Sequence, residues 1–314
     1  MAERRLAMLA GALVAASAVF LLWDLRAPYG FIFELRAVKL ASLLVVGAAI
    51  GLSTVLFQTV TGNRILTPAI MGFDALFLLM QTLLVFALGG AGYVALLGPA
   101  KFLLETVVMM LAAMALFALL LGRARQDMHR MILTGIIFGV LFRSLTGFVQ
   151  RLLDPSEYAV VQGAMFASFG AVDPAGLALA TAVLGAACIP LVRLAGHLDV
   201  LALGRTGAIG LGLSHDRLVL GLLALVAALV SVSTALVGPI TFLGLLVAAL
   251  AHALVKGHRH AQLLPAAAMI AALTLVAGQI LFERILHLQS TLAVIVEFLG
   301  GLFFLYLVLR GRVR

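Results

Sequence analysis

The chain is short of charge, of cysteine and of any long polar stretch. Only 11% of its 314 residues are charged, with 13 acidic side chains in all. A soluble domain carries about a quarter charged residues, so a soluble fold is excluded. The single cysteine, Cys188, lies inside an apolar run, so no internal disulfide can form and it reads as a small buried hydrophobe. No polar block is long enough for a separate soluble domain, and one membrane domain over 1–314 is expected. There is no nucleotide-binding P-loop, no HExxH zinc pair and no Ser/His/Asp set, so neither an ATPase nor a membrane-embedded hydrolase is supported. The histidines are scattered over loops and helix ends. The HRH run at 258–260 reads as a basic loop rather than a metal site.

What is present is apolar sequence: 64% hydrophobic residues and a mean hydropathy of +1.21. A spanning helix needs about 20 such residues. Ten segments qualify, near 6–23, 38–60, 70–88, 101–121, 131–152, 174–194, 218–237, 240–255, 264–282 and 292–309. The first is too long for a signal peptide, lacks a small-residue cleavage site, and is expected to be retained. The fold class is therefore all-α and polytopic.

The net charge of +8 does not point to nucleic acid, because the basic residues sit in short loops between apolar runs. Fourteen of the 21 fall on one set of loops, including Arg64, Arg123, Arg205 and Arg259. The others are Arg26, Arg36, Lys39, Lys101, Arg143, Arg151 and Arg284. The positive-inside rule then puts both termini in the cytoplasm.

Three stretches stand out. Leu201 to Arg217 reads LALGRTGAIGLGLSHDR, too polar to cross a bilayer and too apolar for a solvated linker. It reads as one or two glycine-punctuated helical turns at a membrane surface, a place where something docks. Gly47 to Gly72 is a small-residue helix suited to close packing, which ends near Gln58 and Asn63 and restarts at Pro68. Gly238-Pro239 predicts a tight turn between two spans. The runs STVLFQ from Ser53 and STALVG from Ser233 hint at a repeat, inverted because their spans cross in opposite directions, although two apolar helices can also match by chance. Charges inside spans are costly and face a cavity or a partner. Arg143, Glu297, Asp74 and Glu105 are the candidates, either lining a pathway or pairing internally.

Together these stretches resemble the FecCD-type permeases, the ferric-siderophore and cobalamin branch of bacterial ABC importers. The family's pattern G-A-x-x-x-L-S-x-x-x-F-Q, then N-x-x-x-x-P-x-x-x-G, is matched by Gly47, Ala48, Leu52, Ser53, Phe57, Gln58, Asn63, Pro68 and Gly72. Its G-P-I-x-F-x-G-L is matched by Gly238, Pro239, Ile240, Phe242, Gly244 and Leu245, and a basic loop ends at Leu263, Leu264 and Pro265. Its L-G-x-x-x-A-x-x-L-G is matched by Leu203, Gly204, Ala208, Leu211 and Gly212. The chain departs from the family at Ala248 and Ala249, at Arg205 and Thr206, and at Arg36 to Lys39. With TPAIMGFDALFLLMQT these departures look like the subgroup handling catecholate or related siderophores.

The resemblance implies a cobalamin-importer-type (type II) ABC permease fold of ten spans. It implies a second permease subunit, identical or paralogous, a cytoplasmic ATPase dimer, a substrate-binding protein and a ferric siderophore as cargo. Another iron chelate, haem or cobalamin is the alternative cargo, and an ion-coupled secondary transporter the alternative class. No cofactor is expected in this chain, since ATP would be used by the partner. Leu203, Gly204, Arg205, Thr206, Gly207, Ala208, Leu211 and Gly212 would couple to the ATPase. Arg36, Lys39 and Arg26 would meet the binding protein, or else snorkel at the interface.

Overall fold

A computed structural model describes residues 2–25, 27–96, 98–124, 128–170, 172–255, 257, 259–286 and 292–309. Twelve α-helices, and no strand, occur among these residues. In chain order they are α1 (Ala2–Leu22), α2 (Tyr29–Thr61), α3 (Asp74–Ala95), α4 (Pro99–Ala124), α5 (Met128–Gln150), α6 (Pro155–Ala164), α7 (Pro174–Leu201), α8 (Arg205–Gly210), α9 (His215–Val237), α10 (Leu243–Val255), α11 (His260–Ile280) and α12 (Leu292–Leu309). A π-helical turn, Ala69–Phe73, leads into α3, and a second, Leu281–Ile285, ends α11.

Each of the ten apolar segments expected from the sequence falls on one of these helices. Among the described residues, eight helices are long and apolar enough to cross a membrane. Of the other two, α10 is short, with 13 residues, and α12 has 18. The helix ends follow local chemistry. Gly62, at φ 61°, closes α2 in a Schellman motif: the Asn63 N–H bonds the Gln58 carbonyl, and the Gly62 N–H bonds that of Thr59. Asp173 caps α7 by accepting the Gly176 N–H at 2.9 Å, with Pro174 in the first turn.

The core sits on α2, α9 and α11. A Cβ added to Gly47 would lie 2.7 Å from the Ala272 nitrogen, and one on Gly51 would lie 2.6 Å from the Ala267 carbonyl. The backbones of α2 and α11 touch there because both faces carry only small residues. Phe117 of α4 packs against Phe57 of α2 and Phe73 of the first π turn, with ring centroids 5.8 and 5.0 Å apart. Gly72, at φ 100°, lies against Gly139 of α5, so the π turn depends on glycine twice over.

Two ends of the bundle can be told apart. At one end, α8 joins the last residues of α2 and α7 and the first of α9 and α11. Asp199 of α7 accepts both the backbone N–H and Nδ1 of His260 at 2.7 Å, and His260 Nε2 lies 2.8 Å from Thr59 Oγ1. Arg259 gives α11 no side-chain cap, so Asp199 supplies one from another helix. At the other end, Arg36 of α2 donates to the carbonyls of Leu21, Trp23 and Asp24 at 2.8–2.9 Å and so satisfies the end of α1.

Candidate functional site

Three places gather the residues singled out in the sequence. The first is α8. Gly204, at φ 86°, starts it. Gly212, at φ 84°, ends it in a second Schellman motif, in which the Leu213 N–H bonds the Ala208 carbonyl and the Gly212 N–H bonds that of Ile209. Ala208 is fully buried and anchors the turn. Leu203, Ile209 and Leu211 are 66%, 51% and 63% exposed. Arg205 pairs with Asp216 of α9 at 3.5 Å. Both side chains are solvated, so the pair orients α8 more than it stabilises it. Its two positive-φ glycines thus set where the element begins and ends, and it presents apolar side chains outward from a largely polar surface.

The second place is a small cavity of about 30 Å³, enough for one water molecule. It is lined by Ser53 and Thr54 of α2, Ser233 and Thr234 of α9, Thr67 and Pro68, Asp74, and Gly238, Ile240 and Thr241. Thus the two Ser-Thr pairs of the suspected repeat face one cavity from helices that run in opposite directions. The tight turn expected at Gly238-Pro239 is instead a non-helical segment spanning 238–242. Gly238, at φ 101°, has no room for a side chain, since a Cβ there would lie 3.0 Å from Ala167 Cα. The Ser168 N–H holds the Val237 carbonyl at 2.7 Å. Thr241 Oγ1 lies 2.7 Å from Asp74 Oδ2 and 3.4 Å from Glu297 Oε1. Asp74 and Glu297, 223 residues apart in sequence, are thus brought to one hydroxyl. Arg143 of α5 is within electrostatic reach of Asp74. It is exposed and has no ion-pair partner among the described residues.

Glu105 does not join this cluster. It accepts from Gln81 Nε2 at 2.9 Å and lies 3.7 Å from Lys101 Nζ. Tyr93 donates to Gln81 Oε1 at 2.7 Å, and the Lys101 ammonium sits 3.7 Å above the Tyr93 ring. This closed ring of four side chains is internal pairing between α3 and α4.

The third place is the end of the bundle opposite α8. Arg36 is buried and occupied with α1, while Lys39 pairs with Glu283. Arg26 lies outside the described residues. Two more of the singled-out residues shape loops. Gln58 Nε2 donates to the Arg64 carbonyl at 2.6 Å, and the Asn63 side chain accepts the Ile65 N–H at 2.9 Å. Gly244 packs on Thr54, and Pro265 lies inside α11.

Sequence reasoning missed α6, which packs against α3 at Gly89 and Gly90 through Glu157. Its signal was readable: Asp154-Pro155-Ser156-Glu157 has the spacing of a capping box with proline at the first helical position. It also missed the knot around His260. Among the described residues no three His, Cys, Asp or Glu side chains group as a metal site.

Comparison with known proteins is consistent with this geometry. The model of the FecCD transport family matches residues 6–310. The petrobactin import system permease protein YclO of Bacillus subtilis is 39% identical over 308 residues, covering 98% of each chain. The petrobactin import system permease protein FatC of Bacillus anthracis is 34% identical over 277 residues, covering 88% of this chain and 78% of its own. Among solved structures, an inward-facing conformation of a metal-chelate type ABC transporter superposes with a TM-score of 0.83 at 22% identity, over 98% of this chain and 99% of its own.

Proposed function

The chain belongs to the FecCD transport family, and on that premise we propose that it carries a ferric siderophore of the petrobactin kind through the bacterial inner membrane. It is a multi-pass permease and has no ATP site of its own by sequence. The observation that carries the cargo assignment is the 39% identity to a petrobactin permease along essentially the whole of both chains. Energy comes from a cytoplasmic ATPase pair. It reaches the permease at α8, where Leu203, Ile209 and Leu211 enter a cleft of the ATPase and Gly204 and Gly212 supply the left-handed turns that aim them. The end of the bundle carrying α6 faces the periplasm and receives the substrate-binding protein. Arg36 acts there from beneath, by fixing the end of α1, and Lys39 by fixing Glu283. A second permease subunit faces the exposed side of α5, so that Arg143 lies on an aqueous pathway able to attract an anionic iron chelate.

The test is iron uptake in a bacterium lacking its own petrobactin permease. Expression of this chain with its partner subunits should restore accumulation of radiolabelled ferric petrobactin. Uptake should stop on ATP depletion and survive an ionophore. Restored cobalamin uptake without restored petrobactin uptake would overturn the cargo assignment. Loss with the ionophore while ATP is maintained would overturn the energy source.

A further inference from the structure

The two Ser-Thr pairs of the suspected repeat match in their hydrogen bonds as well as in sequence. Ser53 donates to the Ile50 carbonyl at 3.1 Å and Ser233 to the Val230 carbonyl at 3.0 Å, the same step back along each helix. Each serine thus gives its one proton to its own helix and keeps only lone pairs to offer. The threonines beside them do something else. Thr59, Thr82, Thr146, Thr181 and Thr274 return their hydroxyls to the carbonyl four residues earlier. Thr54 and Thr234, 2% and 5% exposed, make no hydrogen bond among the described residues. Both line the small cavity, and the Thr54 hydroxyl faces Gly244, which also lines it and where a Cβ would collide with that oxygen.

Oxygen surrounds this cavity and positive charge does not. Its lining holds six hydroxyl side chains and one carboxylate, Asp74, with no histidine, cysteine, lysine or arginine. Asp74 is 8% exposed and has no ion-pair partner among the described residues. A buried carboxylate is costly until a counter-charge or a proton neutralises it. Thr234 stands in the last turn of α9, the end of a helix that favours a cation. The helical path is broken on both sides, at 62–68, which brings Thr67, and at 238–242, which brings Thr241. Polar groups that converge between interrupted helices of an inverted repeat make a cation site.

The donor set decides the class of ion. Oxygen without nitrogen or sulfur suits a hard cation. One carboxylate among neutral hydroxyls balances a single positive charge, and a space of about 30 Å³ has no room for the waters that magnesium keeps. We propose that the cavity binds one dehydrated alkali-metal cation, held by the Asp74 carboxylate and the Thr54 and Thr234 hydroxyls, with Ser53 and Ser233 completing the shell. The ion ties α2, α3 and α9 together where the two halves of the chain meet. It is neither the cargo nor the source of energy, and it stabilises the permease whichever chelate is carried.

The melting temperature of the full-length, detergent-solubilised permease is followed as sodium chloride replaces choline chloride at constant ionic strength. It should rise with sodium, the folding equilibrium becoming about tenfold more favourable at ten times the dissociation constant. Asp74→Asn keeps the size of the side chain and an acceptor for Thr241 but loses the charge. Thr54→Val/Thr234→Val keeps the shape but loses the two hydroxyls. Each variant should melt at the same temperature in both salts, and either one suffices if the other fails to fold. Equal melting of the wild-type chain in sodium and choline would overturn the proposal and leave Asp74 neutralised by a proton. A sodium response that survives in either variant would overturn it too. So would an equal response to magnesium that is lost in the same variants, which would mark a divalent site.

Discussion

Gly51 and Gly221 both sit within long apolar helices, yet a methyl group should affect them oppositely. At Gly51 the new carbon would meet the Ala267 carbonyl, whereas at Gly221 nothing lies within 4 Å. Overpacking of this kind costs about 1–3 kcal/mol. Gly51→Ala should therefore lower the melting temperature of the detergent-solubilised protein, and Gly221→Ala should leave it within error. The small-residue face of α2 was legible in the sequence, because Gly47, Ala48, Ala49, Gly51 and Ser53 follow one another. Its partner on α11 was not, since AAAMIAAL reads as any apolar helix until it is docked. Glu105 shows the same division. A carboxylate in an apolar run announces that something must pair with it, and Lys101 four residues earlier was a readable choice. Gln81 and Tyr93, which complete the ring, come from another helix through tertiary contact alone. Both Lys101 and Glu105 are largely buried, so removing one partner should cost about 3–5 kcal/mol. Denaturation measurements should find Glu105→Leu markedly less stable than Lys101→Met/Glu105→Leu.

Among the elements, α8 is the one whose backbone leaves least choice. Its two positive-φ glycines set both its direction and its length. Gly212→Leu would force a side chain into the left-handed region, at about 1–2 kcal/mol, and would re-aim Leu211. In the assembled importer this variant should keep ATPase activity but lose transport, measured as ATP hydrolysed per iron imported; an unchanged ratio would remove α8 from the coupling path. The glycine punctuation made this element readable without any tertiary information. The dependence of α11 on a cap from α7 was not readable, because Asp199 and His260 are 61 residues apart. Asp199→Ala should destabilise the chain by about 1 kcal/mol, seen as a lower melting temperature, whereas Ser214→Ala, whose hydroxyl makes no capping bond, should not. Arg36 extends the point to α1. As a positive charge on a sparsely charged face it suggested docking, but its guanidinium serves three carbonyls of α1. Arg36→Met should loosen α1, detected as faster proteolysis near residues 24–28, whatever it does to binding-protein affinity.

At the scale of the whole molecule, apolar run length alone gave the ten helices and their order. It could not show that α10 is short, because 238–242 is as apolar as the helices it joins. That segment leaves the helical path where Gly238 and Pro239 interrupt it, and this brings Thr241 to Asp74 and Glu297. The exposed flank of α5 is the other large-scale feature. Arg143 stands there among outward-facing Ile137, Val140, Leu141 and Leu145, which is untenable against lipid and reasonable against water or a second subunit. Arg143→Ala should cut uptake at least about tenfold with an unchanged melting temperature, and Arg143→Lys should restore part of it. Thr241 joins the two halves of the chain. A hydroxyl has one proton to give, yet here it stands between a carboxylate from the first half and one from the second. The hydroxyl serves Asp74 at the shorter distance, while Glu297 is also held by the Thr241 backbone N–H, so one residue ties α3 and α12 to the 238–242 segment at once. A single residue at this junction therefore clasps both halves, its hydroxyl to Asp74 and its backbone N–H to Glu297, so replacing the hydroxyl frees the first half and leaves the second attached.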